Sequence, residues 1–257
     1  MSATPSPDLH QARRWIAQAA RIAVLTGAGV SAESGVPTFR DAQTGLWSNF
    51  RPEELATEQG FRDNPQRVWD WYAERRERLC HAQPNAGHRA LAAFERRHPG
   101  RLTLITQNVD DLHQQAGSAN VLALHGNLFE DRWLDPCALA RRPQDGCPVQ
   151  LAEPGRPPRC AQCGNLVRPN VVWFGEMLPS HALAAAERAA RQCDVMLVVG
   201  TSGQVYPAAG LAEHAREAGA RVIVVNPEPT DLDALAHAVL AGTSARLLPQ
   251  LLDETFP

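Results

Sequence analysis

The stretch Arg21-Ile22-Ala23-Val24-Leu25-Thr26-Gly27-Ala28-Gly29-Val30-Ser31-Ala32 decides the fold. Arg21 to Thr26 is a short, nearly continuous apolar run, the composition of a parallel strand buried on both faces. It leads directly into Gly27, Gly29 and Ala32, a G-x-G-x-x-A spacing after a strand and before a helical stretch. Glycines at such a turn allow a tight bend and the approach of backbone N–H groups to a pyrophosphate. The same pattern also arises where a strand-to-helix turn must pack closely.

Working outward, Leu102 to Thr106, Val121 to Leu124, Asp194 to Gly200 and Arg221 to Asn226 repeat the strand pattern. Helical segments alternate with them: Leu9 to Ala20, Gly87 to His98 after Asn85, Leu183 to Gln192 opened by Ser180, and Pro207 to Ala218 before a glycine stop. This grammar predicts an α/β protein with a doubly wound, Rossmann-like parallel sheet. Two stretches break it. Residues 41–79 are helical and rich in Trp and Arg, and residues 127–170 hold prolines and cysteines with little periodicity. Both read as insertions forming a smaller helical and zinc-binding lobe. The sheet domain is then expected from residues 8–40, 80–126 and 171–257, with a ligand cleft between the lobes.

Composition excludes several classes. In 257 residues, 44% are hydrophobic and 21% charged, with a net charge of −3, so no positive field argues for nucleic acid or an anionic membrane. No apolar run reaches the roughly 18 residues that span a bilayer, and Met1 to Asp8 lacks the pattern of a secretion signal. Cys137, Cys147, Cys160 and Cys163 cluster, which points to a metal before disulfides and to a cytoplasmic protein.

A dehydrogenase would follow the glycine loop with a helix, a second strand and an acidic residue about 20 positions on. Here the chain continues Gly35-Val36-Pro37-Thr38-Phe39-Arg40-Asp41, then Trp47 and Arg51, and Pro37 discourages a long helix. The run from Gly27 to Arg40 closely resembles the sirtuin signature G-A-G-x-S-x-x-S-G-I-P-x-F-R. The resemblance continues through Gln107-Asn108-Val109-Asp110, His125-Gly126, Val172-Trp173-Phe174-Gly175-Glu176, Gly200-Thr201-Ser202 and Asn226. These landmarks come in family order and span nearly the whole chain.

Gln107 to Asp110 follow a strand end, where open α/β sheets bind ligands. Asn108 offers an amide and Asp110 an acceptor, although Asp110 equally suits a helix cap. The resemblance implies that Asn108 and Asp110 hold the nicotinamide ring of NAD. It implies that Gly27, Ala28, Gly29, Ser31, Glu33, Phe39, Arg40, Trp47, Gln107 and Val109 belong to the same cofactor site, with Gly200, Thr201, Ser202 and Asn226 at its adenosine half. His125, whose free imidazole would titrate near pH 6.5, becomes the general base. The reaction so implied passes the ribose C1′ from nicotinamide to the oxygen of an acylated lysine, giving free lysine, nicotinamide and O-acyl-ADP-ribose. Val172 to Glu176 would add to the substrate backbone as a strand, or form an ordinary buried strand. The partners are acylated-lysine proteins, with no nucleic acid or membrane, and the chain is expected as a monomer or weak oligomer.

Asn64 and Pro65 open a helix to Leu79, on which Val68, Tyr72, Arg75 and Leu79 share one face. A guanidinium on an apolar stripe is costly unless an anion meets it, or unless it snorkels to water or pairs with a nearby Glu. The Tyr-x-x-Arg pair, with Ala56 upstream, resembles class III sirtuins, which implies a pocket for succinyl and malonyl groups alongside acetyl. Cys160-Ala-Gln-Cys163-Gly164 is a tight knuckle, and with Cys137 and Cys147 it would complete a structural Cys₄ zinc site. The family usually has two C-x-x-C pairs, and here Trp133 stands near the expected first ligand. Two rival readings stay open from the residues alone: an NAD-dependent oxidoreductase, and a zinc-containing interaction module without turnover.

Overall fold

The computed structural model describes residues 7–36, 49–137, 147 and 152–253. In chain order these form α1 (Pro7–Gln18), β1 (Ile22–Thr26), α2 (Pro52–Leu55), α3 (Glu58–Asp63), α4 (Pro65–Leu79), α5 (Ala86–Arg97), β2 (Leu102–Thr106), α6 (Leu112–Gln115) and β3 (Val121–Ala123). There follow β4 (Gly126–Trp133), β5 (Ala152–Glu153), β6 (Arg159–Cys160), β7 (Val167–Val171), α7 (Ser180–Gln192), β8 (Val195–Val199), α8 (Gly210–Glu217), β9 (Arg221–Asn226), β10 (Ala238–Ala241) and α9 (Ser244–Leu252). The chain divides into two units, one of Met1–Phe39, Ala82–His125 and Leu178–Pro257, the other of Arg40–His81 and Gly126–Met177. None of the described helices is long and apolar enough to cross a membrane.

The first unit is an α/β sheet protein of the doubly wound, Rossmann-like kind. Its six parallel strands run β10-β9-β8-β1-β2-β3. Alternation along β1 sends Ile22 and Val24 to one face and Ala23 and Leu25 to the other. One face packs under α1, α5 and α9, with Leu91, Phe94, Leu248 and Leu252 buried there. The other packs under α7 and α8 through small residues such as Ala186, Ala190, Ala212 and Ala215. Both faces being covered explains why the strands carry so few polar residues. From β1 the chain winds outward through β2 and β3, then returns to β8 on the other side. The strand order therefore reverses between β1 and β8, the place where open sheets take ligands at their carboxyl ends.

The second unit pairs β4 with β7 antiparallel and β5 with β6 antiparallel, beside α2 to α4. Leu55, Phe61, Val68, Trp71, Tyr72, Leu128 and Trp173 are buried in it. Residues 127–170 thus contain strands that their irregular pattern did not announce. The expected strand through Glu176 also needs correcting: β7 stops at Val171, and Phe174 and Gly175 form a turn, with Gly175 at φ +86°.

Candidate active site

In the sheet unit, the carboxyl ends of the strands bring together most of the residues expected to bind a dinucleotide. The glycine loop leaves β1, Gln107–Asp110 leaves β2, His125 lies two residues past β3, Gly200–Ser202 leaves β8, and Asn226 ends β9. Phe39, Arg40 and Trp47 lie outside the described residues.

The glycines of the loop have a packing reason. A Cβ on Gly29 would sit 2.8 Å from Gly200 Cα, and one on Gly27 would sit 2.7 Å from Thr201 Cβ. Gly27 N–H donates to Val199 O at 3.0 Å and Gly29 N–H to Gly200 O at 2.8 Å. Val30 and Ser31 donate back to Gly27 and Ala28 within the turn. Four of the loop's amides, those of Gly27, Gly29, Val30 and Ser31, are thus engaged within the protein. Of the amides from Gly27 to Ser31, only that of Ala28 has no acceptor among the described residues. Glu33 turns elsewhere, its carboxylate accepting from Ala245 N at 2.9 Å in the first turn of α9.

Below the loop lies a buried polar network. Ser31 Oγ donates to Asp110 Oδ2 at 2.9 Å and accepts from Asn108 Nδ2 at 3.1 Å. Asp110 Oδ1 accepts from Leu112 N at 3.1 Å, but the N-cap of α6 is Asp111, without a side-chain cap bond, so Asp110 braces the turn before the helix and does not cap it. Burial raises the Asp110 pKa, opposed by the hydrogen bonds from Leu112 and Ser31. Ser31 itself is fully buried, so its hydroxyl orients Asn108 and Asp110 from behind.

Two histidines complete this network, and sequence reasoning missed both. His88 Nδ1 accepts from Asn85 N at 3.3 Å, so in the neutral ring Nε2 carries the proton, 3.4 Å from Ser31 Oγ. His113 Nε2 lies 3.0 Å from Thr26 Oγ1, which is 2.9 Å from Thr106 Oγ1; Thr106 Oγ1 in turn accepts from Asn108 N at 3.1 Å. The two rings meet at 4.8 Å. Burial holds His88 down to about 4 and His113 to about 3. The available signal was the run Asn85-Ala-Gly-His88, in which a helix cap is followed three residues later by a side chain able to bond back.

His125 has a defined tautomer. Its Nδ1 lies 2.7 Å from Gln107 O, which can only accept, so Nδ1 carries the proton and Nε2 presents a lone pair. Burial lowers its pKa, partly offset by that hydrogen bond, which favours the neutral ring at neutral pH. Gln107 Nε2 donates to Thr201 Oγ1 at 3.1 Å, tying the β2 and β8 loops together. Asn226 Nδ2 donates to Glu228 O at 2.6 Å.

In the second unit, Ala56, Tyr72, Arg75 and the 172–176 segment come together. Asn64 caps α4 by accepting from Arg67 N at 3.0 Å, and Tyr72 and Arg75 share a face of that helix. The Arg75 guanidinium lies 4.8 Å from the Trp71 ring centre and 5.7 Å from that of Tyr72. Desolvation lowers the Arg75 pKa, and it pushes the Tyr72 hydroxyl up to about 12 against the pull of Arg75 and the Trp173 N–H. Phe174 N–H donates to Ala56 O at 2.9 Å, and Trp173 Nε1 to Tyr72 Oη at 3.0 Å.

Glu176 is spent on holding this turn: it accepts from Trp173 N at 2.8 Å and from Arg168 and Arg132. Burial alone would raise its pKa, but Arg168, the Trp173 amide and Arg132 outweigh it and leave the carboxyl below its usual range. Arg168 is a third residue that sequence reasoning missed. It is fully buried and lies over the Trp173 ring at 3.2 Å.

Cys137, Cys147 and Cys163 present Sγ atoms all within 4.8 Å of one another, and Cys160 is buried in the same cluster, in contact with Cys147. A tetrahedral zinc with Zn–S bonds of about 2.3 Å needs sulfurs about 3.8 Å apart, so the cluster is compatible with such an ion. Gly164, at φ +73°, closes the knuckle by donating from its N–H to Cys160 O at 2.9 Å. Trp133 packs against the cysteines.

A family profile described as Sir2 family matches residues 27–207. A protein of Ralstonia nicotianae named NAD-dependent protein deacylase is 60% identical over 242 residues, covering 94% of this chain and 95% of its own. A solved structure described as a Sir2 homolog–NAD complex is 44% identical, with a TM-score of 0.81 over 95% of this chain and 92% of that one. Another, described as Sir2Tm bound to a propionylated peptide, is 29% identical with a TM-score of 0.78, covering 96% and 98%.

Proposed function

The chain belongs to the Sir2 family, and from that premise we propose that it is an NAD-dependent protein-lysine deacylase acting on succinyl- and malonyl-lysine as well as acetyl-lysine. The observation that carries the reaction is the fixed tautomer of His125, whose bare Nε2 stands beside Gln107–Asp110 at the strand ends.

The donor set suits a dinucleotide. Asn108 and Asp110, nearly buried and oriented through Ser31, match the carboxamide of nicotinamide. Ala28 N–H, Thr201, Ser202 and Asn226 line the strand ends where the remaining polar parts of NAD would be held. When bound, NAD supplies a ribose carbon that the acyl oxygen can attack as nicotinamide leaves. His125 Nε2 then takes a proton from a ribose hydroxyl, while Nδ1–H stays on Gln107 O and keeps the ring aligned. Cys137, Cys147, Cys160 and Cys163 hold one structural zinc, a role separate from the reaction.

The acidic-acyl preference is supported by Arg75 and Tyr72, which place a cation and a hydroxyl on one face of α4. A carboxylate meeting both gains charge-assisted hydrogen bonds of about 1.5–3 kcal/mol each; an acetyl methyl gains neither.

Incubation with NAD and a succinylated peptide, followed by mass analysis, tests the reading. Nicotinamide and O-succinyl-ADP-ribose should appear without reduction of NAD, and His125→Ala should slow the reaction by about 10²–10⁴-fold. Arg75→Met should lower the succinyl-to-acetyl preference at least about tenfold. Turnover indifferent to NAD, or a His125→Ala variant as fast as the parent, would remove the deacylase reading. Equal loss on both peptides from Arg75→Met would remove the acidic-acyl reading.

A further inference from the structure

The Trp173 indole is wedged between Phe61, with ring centres 5.3 Å apart, and the Arg168 guanidinium at 3.2 Å. It is 2% exposed and has no freedom to rotate without displacing a buried cation. Its one polar atom, Nε1–H, can only donate, and it donates to Tyr72 Oη at 3.0 Å. The phenol oxygen is therefore an acceptor in this pair, and its own proton must point at something else. Among the described residues that proton meets no acceptor, and Tyr72 is 3% exposed. A buried hydroxyl proton without a partner is unfavourable unless a ligand oxygen takes it. Arg75, on the same face of α4 and 5.7 Å from the Tyr72 ring, makes an anionic oxygen the fitting acceptor.

We propose that Trp173 is a positioning residue for acyl-group specificity: by occupying the Tyr72 oxygen with its indole N–H, it makes the phenol an obligate donor toward the carboxylate of an acidic acyl chain. The inference rests on the acidic-acyl reading of Tyr72 and Arg75. It gives Trp173 a side-chain role distinct from any backbone contact that residues 172–176 make with a peptide. Arg168 and Glu176 act one step further back. The cation holds the indole plane, and the carboxylate holds both the cation and the Trp173 amide. Without the indole N–H the phenol can turn its oxygen toward the ligand, and an oxygen lone pair facing a carboxylate repels it.

The test is Trp173→Phe, which keeps a ring between Phe61 and Arg168 and deletes the N–H. The succinyl-to-acetyl ratio of kcat/KM should fall about five- to tenfold, through the KM for the succinylated peptide. Calorimetric titration of the same peptides without NAD should show the same change in their relative Kd. Tyr72→Phe should lower the ratio by at least as much, and adding Trp173→Phe to it should lower it no further, because the indole acts only through the phenol. Should Trp173→Phe fold poorly, 3-benzothienylalanine at position 173 keeps the bicycle and removes only the N–H.

A Trp173→Phe effect equal on both peptides, or one that adds fully to Tyr72→Phe, overturns the proposal. If Arg75→Met and Tyr72→Phe are selective while Trp173→Phe is not, this inference alone fails. If Arg75→Met is itself unselective, the acidic-acyl reading fails and takes this inference with it.

Discussion

His88 and His113 show how one residue type does different work in different surroundings. His125 is half-buried with a bare nitrogen at a strand end, whereas His88 and His113 are enclosed in the polar network below it. Burial leaves the latter two neutral, at about 4 and about 3, against an ordinary value near 6.5. Their folded values lie below the unfolded one, so their contribution to stability is complete above pH 6.5. It is lost progressively as pH falls from the unfolded value near 6.5 down through the folded ones, since the unfolded chain takes up protons first. At pH 5 each ring therefore removes about 2 kcal/mol, a large part of an ordinary domain's 5–15 kcal/mol. Denaturant midpoints between pH 7 and pH 5 should drop steeply in the parent and less in His113→Gln, which keeps a donor toward Thr26. Parallel slopes in the two proteins would show that the pair does not titrate in this window. A lone histidine in a sequence gives no sign of this, because its pKa is set by neighbours from β1, α5 and the segment after β2, brought together only by folding.

At the scale of elements, the glycines at strand ends separate into those needed for their own conformation and those needed for a neighbour. Gly126 opens β4 at φ +81°, and a Cβ there would lie 2.1 Å from Asn170 O on the paired strand β7. Gly219, at φ +92° after α8, has nothing within 4 Å. Both substitutions to alanine carry the left-handed penalty of about 1–2 kcal/mol, but only Gly126→Ala must also push a backbone carbonyl away. Urea unfolding should show Gly219→Ala losing about 1 kcal/mol and Gly126→Ala at least twice as much; equal losses would mean that β7 yields at no cost. The same distinction explains what could be read in advance. The buried parallel strands β1, β2, β8 and β9 were legible because both faces demand Val, Ile and Leu. α4 was legible because Asn64, Pro65 and a 3–4 spacing mark it. β4 was not, since most of its residues are exposed or half-exposed and polar, and β10 offers only four residues with alternate side chains exposed. The segment after Val171 was read as strand because Val-Val-Trp-Phe has strand composition, yet Glu176 and the left-handed Gly175 bend it into a turn.

For the whole molecule, the two units reach stability by different means. The sheet unit has a large apolar core on each face of six strands. Among its described residues the second unit has short paired strands, two short helices beside the longer α4, and a cysteine cluster, and a unit of that size gains most from a cross-link. A zinc bound only by the folded form stabilises that form by mass action, and its loss returns four thiols to a buried cluster with no metal to hold them. Burial and the neighbouring cysteine sulfurs push the Cys147 thiol up to about 12, so an ion must displace its proton to bind. Of the five described tryptophans, those at positions 69, 71, 133 and 173 belong to this unit, with Trp15 alone in the other. Tryptophan fluorescence therefore reports chiefly on the second unit. Treatment with a strong chelator, with loss of one zinc per chain verified by metal analysis, should lower the fluorescence-detected Tm by at least about 10 °C, and re-addition of zinc should restore it. Cys163→Ser should show the lower Tm from the outset and respond little to chelator. A parent protein that contains no zinc as isolated from metal-replete medium under reducing conditions, and whose melting is unmoved by added zinc, would show that the four clustered thiols hold this unit together as apolar packing alone.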